Sequence, residues 1–281
     1  MNSRSSSLLV LLSAIFFATG GLFYKVASWN SLAICTFRSL LALVLIIGFL
    51  IVTKHKFVIN KTVIFAAIGN ASTSVLYSMA NKMTTAGNTI VLQFTMPIYV
   101  IVLSSIINRT KPNKLEATTC FFVLLGIVLF FVDSLTAGNM LGNILALVSG
   151  VTYALFFIFN SKEDADPLST LAISLFLSAM VGMSEFVKTD FVNTNTTTWL
   201  AVIGLGVIQQ ALGHGCLAIG IKGTSAVTAS LLSGLEPVLN PILVAIFYKE
   251  LLTPLSLIGA IIVLASIITY NVIDSKQKEA S

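Results

Sequence analysis

The amino-acid sequence predicts an all-α polytopic membrane protein: ten transmembrane helices in two inverted five-helix repeats. Three observations predict this fold: an apolar composition, ten apolar stretches of membrane-spanning length, and an internal repeat whose period covers five of them. Of the 281 residues, 56% are hydrophobic and 10% are charged, and the mean hydropathy is +0.97. A soluble domain carries about 25% charged residues. The composition therefore excludes a soluble enzyme, a nucleic-acid-binding protein and a disordered chain.

Each predicted span is an apolar stretch long enough to cross the bilayer, which takes about 20 residues of helix. The connections between several of them are too short for a soluble domain, so we expect one compact bundle. The first stretch lacks a clear small-residue cleavage site, and we expect it to be retained as a helix. The ten stretches are 8–27, 31–53, 62–81, 86–108, 115–132, 139–159, 169–187, 199–221, 224–248 and 253–273.

The basic residues predict the orientation, because cytoplasmic loops carry an excess of lysine and arginine. The bias is clearest in the loops 54–61 and 109–114. We therefore expect a multi-pass protein of the cytoplasmic membrane with both termini in the cytoplasm, and with the loops near 134–138 and 190–196 outside. With that orientation, the sixteen basic residues include eleven on the cytoplasmic side: Arg4, Lys54, Lys56, Lys61, Arg109, Lys111, Lys114, Lys162, Lys222, Lys276 and Lys278.

An internal repeat appears when the chain is compared with itself at a shift of 140 residues. Segment 82–131 then aligns with 222–271 without a gap, and eleven of the fifty positions are identical, including Pro97 with Pro237. The shift spans five predicted helices. Because five is odd, the second copy enters the membrane with the opposite orientation. We predict a first repeat over 1–137 and a second over 138–281.

Inverted repeats of this kind recur in secondary transporters, whose substrate site lies near the midplane between the halves. A duplication of purely structural helices is the alternative explanation. The first explanation predicts that polar residues from both halves meet in one cavity within the membrane.

Three segments of the second half resemble the signature of EamA-type carriers, which belong to the drug/metabolite transporter superfamily. They are Leu235–Val238 (LEPV), Tyr248–Thr253 (YKELLT) and Leu257–Ile262 (LIGAII). The resemblance implies ten spans, five-plus-five repeats and cytoplasmic termini. It also implies a carrier of small metabolites, often amino acids or related amphiphiles, and most often an exporter.

The first repeat departs from that signature at both acidic positions. Met96 occupies the position that matches Glu236, and Thr110 the position that matches Glu250. A mechanism that uses a symmetric pair of acids is therefore not expected here.

Ionisable residues inside a membrane span are costly, and each is a candidate functional residue. Glu236 is the thirteenth residue of the twenty-five-residue span 224–248. It is a candidate proton or cation site, or else a protonated group bonded to a neighbouring helix. Arg38, in the second span, is a candidate partner for a substrate carboxylate. The alternative is that its side chain extends outward to the lipid headgroups.

Polar and aromatic residues at helical spacing predict the rest of the site. Gln210 and His214 lie four residues apart on one helix face, and the repeat relates them to Asn70 and Ser74. His214 has interhelical hydrogen bonding as its alternative role, and Tyr153 has simple packing. The predicted substrate-binding residues are Asn70, Ser74, Tyr77, Gln93, Tyr153, Gln210, His214, Ser233 and Asn240, and the predicted coupling or counter-charge residues are Glu236 and Arg38.

These features predict a secondary active transporter that moves a small amphiphilic metabolite, an amino acid or a related compound, by alternating access, with export the expected direction. The alternative is an importer of a cationic or quaternary-amine solute. An intramembrane enzyme or a structural subunit is the least favoured class, because paired nucleophile and base residues and clusters of metal ligands do not appear. We expect a monomer in the lipid bilayer with no cofactor, no metal and no nucleic-acid partner, and protons are the candidate coupling ion.

Overall fold

The computed structural model describes residues 3–84, 86–109, 111–132, 139–248 and 253–280, and these form helices joined by short turns. Residues 249–252 of the signature, Thr110 and the predicted outer loop 134–138 lie outside the described residues. The helices are α1 Ser3–Ala18, α2 Gly20–Val26, α3 Ser31–Val52, α4 Lys61–Met83, α5 Ala86–Gln93, α6 Met96–Asn108, α7 Lys114–Phe131, α8 Met140–Asn160, α9 Pro167–Val181, α10 Met183–Val187, α11 Thr196–Gly204, a π-helical segment Leu205–Gly213, α12 His214–Ile221, α13 Ala226–Ser233, α14 Glu236–Tyr248 and α15 Pro254–Ala280.

Asparagine side chains begin many of these helices. The first N–H groups of a helix have no partner within it, and a side-chain oxygen at the preceding residue accepts from one of them. Asn60 accepts from the Val63 amide at 2.8 Å, and Asn195 from the Thr198 amide at 2.7 Å. The helices that begin after an asparagine cap of this kind are α3, α4, α7, α8 and α11.

Eight helical segments in the described part of the chain are long and apolar enough to cross a membrane, and they match eight of the ten predicted spans. The all-helical membrane class is confirmed. The other two predicted spans are each divided into two shorter helices. The ten-helix count and the inverted orientation of the halves therefore remain predictions.

The seventh predicted span is divided at Gly182, between α9 and α10. A side chain at this position would collide with the backbone of Leu32 and the hydroxyl of Thr36 on α3. Only glycine allows this close approach of α3, and the chain bends where the approach occurs.

The fourth and ninth predicted spans are interrupted at equivalent positions of the repeat. The break falls at Phe94–Thr95 between α5 and α6, and at Gly234–Leu235 between α13 and α14. Proline is the second residue of α6 and of α14. Proline has no N–H to donate to the carbonyl four residues earlier, so the helix cannot continue regularly through it.

The largest hydrophobic cluster joins both halves of the chain, with Val100, Ile127, Phe157, Leu231 and Val263 among its fully buried members. Helix α4 packs along α8, and α7 along α15. Polar side chains from both halves meet beside this cluster.

Candidate functional site

A single cavity collects most of the predicted site residues. It contains about 80 Å³ of space open to the centres of water-sized molecules. One water needs about 10–15 Å³ by this measure, so the space suits a few waters or the charged head of a small solute. The lining residues are Phe17, Arg38, Asn70, Thr73, Ser74, Tyr77, Gln93, Tyr153, Gln209, Gln210, His214 and Glu236.

Arg38 turns inward to this cavity and is only 7% exposed. Its Nη1 donates to the Gln209 Oε1 at 2.9 Å, and its Nη2 donates to the Ser74 Oγ at 3.1 Å. The guanidinium also lies over the ring of Tyr24, 5.6 Å from the centroid. The buried Nε has no hydrogen-bond partner among the described residues. The side chain therefore does not extend to the headgroups, and its positive charge faces the cavity.

Glu236 begins α14, directly after the break in the ninth predicted span, and is half-buried. The positive end of a helix dipole favours a negative charge there. Within the described part of the chain, its carboxyl group makes no hydrogen bond and no ion pair, although Arg38 lines the same cavity. A bond from Glu236 to a neighbouring helix, its alternative role, is thus not formed among the described residues.

Two further lining residues carry polar atoms that are buried without a partner. The Gln210 Oε1 and the His214 Nδ1 are buried without a hydrogen-bond partner in the described part of the chain. The His214 ring packs edge-on against Phe17, with 4.6 Å between the ring centroids. An unpaired buried polar atom is costly, so each of these atoms would be stabilised by a polar partner.

Two of the predicted site residues are held by protein neighbours. The Asn70 Nδ2 donates to the Ser174 Oγ at 2.9 Å, and the Gln93 Nε2 donates to the Ser149 Oγ at 3.2 Å. Each amide oxygen carries additional acceptor capacity for a solute. These bonds fix both side chains at the cavity wall.

Two other predicted site residues do not line this cavity. Ser233 is fully buried and donates to the carbonyl of Ala229 at 3.0 Å within its own helix. Asn240 is half-buried on α14, one turn beyond Glu236. The break at Gly234–Leu235 separates Ser233 from Glu236, so these two residues do not share one continuous helix face.

The predicted set of site residues does not include Gln209, Thr73 and Phe17, which also line the cavity. Gln209 was overlooked because an α-helical spacing pairs Gln210 with His214, four residues on. The chain is π-helical over Leu205–Gly213, and a π-helix pairs residues five apart. Gln209 and His214 have that spacing, and both line the cavity. The adjacent polar pair Gln209–Gln210 within an apolar run was the available signal.

Polar contacts join the two halves of the chain at the end where the 54–61 loop lies. The His55 Nε2 lies 3.0 Å from both carboxylate oxygens of Asp166, and the Thr62 hydroxyl donates to Asp164 at 2.7 Å. Burial alone raises the pKa of the Asp166 carboxyl, but hydrogen bonds from Ser169 and His55 outweigh it and hold that pKa below its ordinary value.

The opposite end is joined by different contacts. The Ser28 and Thr198 hydroxyl groups lie 3.0 Å apart, and the Trp29 indole donates to Thr194 at 2.9 Å. Trp29 also packs edge-on against the ring of Trp199. The cavity thus lies between two sets of contacts, and each set joins the first half to the second.

Family comparison decides the class of the protein. The model of the EamA-like transporter family matches the chain twice, over residues 4–132 and over 140–272. The chain belongs to the EamA-like transporter family. The resemblance in the second half is confirmed. This EamA-like protein is a multi-pass membrane transporter and not an enzyme.

Its relatives carry the same general description. An uncharacterized transporter of Archaeoglobus fulgidus is 25% identical over 92% of this chain and 93% of its own length. The uncharacterized transporter YwfM of Bacillus subtilis is 25% identical over 100% of this chain and 98% of its own. A solved crystal structure superposes with a TM-score of 0.84 at 12% identity, covering 97% of this chain and 99% of that one. This EamA-like transporter therefore has the same overall fold as that structure.

Proposed function

We propose that this EamA-like transporter is a secondary active carrier that moves an amino acid or a related small amphiphile across the cytoplasmic membrane by alternating access. One observation carries the proposal: a cavity between the helices is lined by a guanidinium and a carboxyl group that are not paired with each other. A zwitterion offers a carboxylate to Arg38 and an ammonium group to Glu236.

The uncharged lining suits the same substrate. The Gln210 oxygen can accept from an ammonium group, and His214 can serve as donor or acceptor according to its tautomer. The rings of Phe17 and Tyr153 offer apolar surface beside the charged groups. This combination of opposite charges and aromatic rings matches an amphiphile better than a simple ion.

The alternative function is import of a cationic or quaternary-amine solute, with Glu236 as counter-charge. The aromatic rings in the lining favour it, because ring faces attract cations. The buried guanidinium of Arg38 opposes it, since a like charge in a low-dielectric site repels the solute. We therefore favour the zwitterion.

Alternating access is supported by the repeat and by the contacts at the two ends of the cavity. The contacts His55–Asp166 and Ser28–Thr198 each join the first half to the second. A carrier of this type opens one end at a time, so each set would break in turn. Export and proton coupling are the expected direction and energy source.

The test is a flux measurement in proteoliposomes, in both directions, with a panel of radiolabelled amino acids, their decarboxylated amines and quaternary amines. We expect selective flux of zwitterions and its loss in Arg38→Gln. The exposed Arg109→Gln is the matched control and should retain wild-type flux. Flux of quaternary amines alone, unaffected by Arg38→Gln, would replace this proposal with the cation importer.

A further inference from the structure

Gln209, a residue of the second half of the chain, contacts and positions the Arg38 guanidinium, which belongs to the first half. Its Oε1 accepts from Nη1 of Arg38 at 2.9 Å, and its Nε2 donates to the Phe17 carbonyl at 3.5 Å. Arginine can only donate, and a carbonyl can only accept. The two neighbours therefore determine which way the Gln209 amide points.

The local backbone provides the space for this amide. α2 begins at Gly20, just after the first predicted span is interrupted at Thr19. A Cβ atom at position 20 would overlap the Nε2 of Gln209. A side chain at this position would push the amide aside, so Gly20 leaves the space in which Gln209 contacts Arg38.

The chemical identity of residue 209 matters because Arg38 is buried and Gln209 is half-buried beside it. An amide orients the guanidinium by a hydrogen bond but leaves its charge unneutralised. A carboxylate of the same shape would form an ion pair, which is far stronger in a low-dielectric site than in water. The neighbouring hydroxyl of Ser74, which accepts from Nη2 at 3.1 Å, is also uncharged.

We propose that Gln209 is a specificity-determining positioning residue: its neutral amide holds the Arg38 guanidinium while leaving its charge free for the carboxylate of a substrate. This inference rests on the proposed function, in which Arg38 faces that carboxylate. It predicts that residue 209 determines whether the cavity favours an anionic or a cationic head.

The experiment compares two small probes of equal length and opposite charge, propionate and propylammonium, by thermal stabilisation of the purified full-length transporter. We expect the wild type to be stabilised by propionate at lower concentration than by propylammonium, and Gln209→Glu to reverse that order. Gln209→Met keeps the residue neutral and removes the acceptor. It should weaken the propionate response by about tenfold, as expected for loss of a hydrogen bond to a charged group, without strengthening the propylammonium response.

A matched pair of glycine variants tests the positioning separately from charge. Gly20→Ala should weaken the propionate response as Gln209→Met does, because the added Cβ displaces the amide. Gly48→Ala, where a Cβ meets nothing within 4 Å, should leave it unchanged. A merely structural role for Gln209 predicts equal losses for both probes in every variant, and that result would overturn the inference.

The two proposals fail in different ways. Absence of amino-acid flux in proteoliposomes, with the probe preference and its reversal intact, would reject the proposed function and retain the role of Gln209. Amino-acid flux together with a propionate preference that survives Gln209→Glu would retain the proposed function and reject the role of Gln209.

Discussion

The interruptions of the fourth and ninth predicted spans share a backbone geometry but carry different side chains. Both break at equivalent positions of the repeat, and both place proline as the second residue of the following helix. After the first break the next residue is Met96, which is completely buried. After the second it is Glu236, which lines the cavity.

The residues just before the two breaks also differ. Gln93 lines the cavity and is held by Ser149, whereas Ser233 bonds to a carbonyl of its own helix. The first break therefore contributes an amide to the cavity, and the second contributes a carboxyl. The two breaks therefore share a backbone geometry, but an acidic side chain follows only the second of them.

The largest effect is expected when a carboxyl is placed at position 96 as well as at position 236. Met96→Glu should destabilise the transporter by about 3 kcal/mol, the typical cost of an acidic side chain within the membrane. Met96→Leu, which nearly conserves volume, should cost less than about 1.5 kcal/mol. Thermal unfolding in detergent measures both. A stable, active Met96→Glu would show that the two breaks are chemically interchangeable.

The next effect concerns transport rather than stability. Glu236→Gln keeps the shape of the side chain and removes its ability to change charge. We expect the accumulation driven by an imposed pH gradient to disappear, while the protein level stays normal. Flux with and without the gradient measures this, and the exposed Glu163→Gln is the matched control. Equal gradient-driven accumulation in wild type and Glu236→Gln would assign this glutamate a structural role.

A smaller effect, on the KM of the substrate, should distinguish Gln93 and Ser233, the residues just before the two breaks. Gln93→Ala should raise the KM of the substrate by about threefold to tenfold, corresponding to the loss of one hydrogen bond of about 0.5–1.5 kcal/mol. Ser233→Ala removes a hydroxyl that does not line the cavity and should change KM by less than about twofold. Similar KM values in both variants would remove Gln93 from the site.

The smallest effect, on stability, is expected at Asp166. This carboxyl lies outside the membrane-spanning segments and, unlike Glu236, has hydrogen-bond partners. The pKa of Asp166 lies below its ordinary value, 3.8, so ionisation stabilises the folded protein above that pH. Asp166→Asn keeps the helix cap but replaces the charged acceptor that contacts His55 by a neutral amide, at a cost of about 0.5 kcal/mol. Unfolding in detergent should show that wild type is more stable than Asp166→Asn at pH 7. This difference in stability should decrease as the pH falls below 3.8. An unchanged difference at low pH would contradict this assignment.

The sequence predicts the site unevenly, and the reason is geometric. Seven of the nine predicted substrate-binding residues, with Arg38 and Glu236, line one cavity, because their spacing along regular helices indicates which residues share a face. Two errors of the prediction, at Gln209 and Ser233, fall where the helix is irregular. Gln209 lines the cavity because the chain is π-helical there. Ser233 does not line the cavity, and the helix break follows it directly.

The sequence by itself determined the all-helical membrane class, most span positions and the family. Hydropathy and repeat patterns are local properties, and they follow from composition and order alone. Only the tertiary structure decided that Arg38 turns inward to Gln209 and Ser74, and that Gly20 leaves room for the Gln209 amide. These contacts join residues far apart in the chain, and their direction depends on how each helix rotates and breaks against its neighbours.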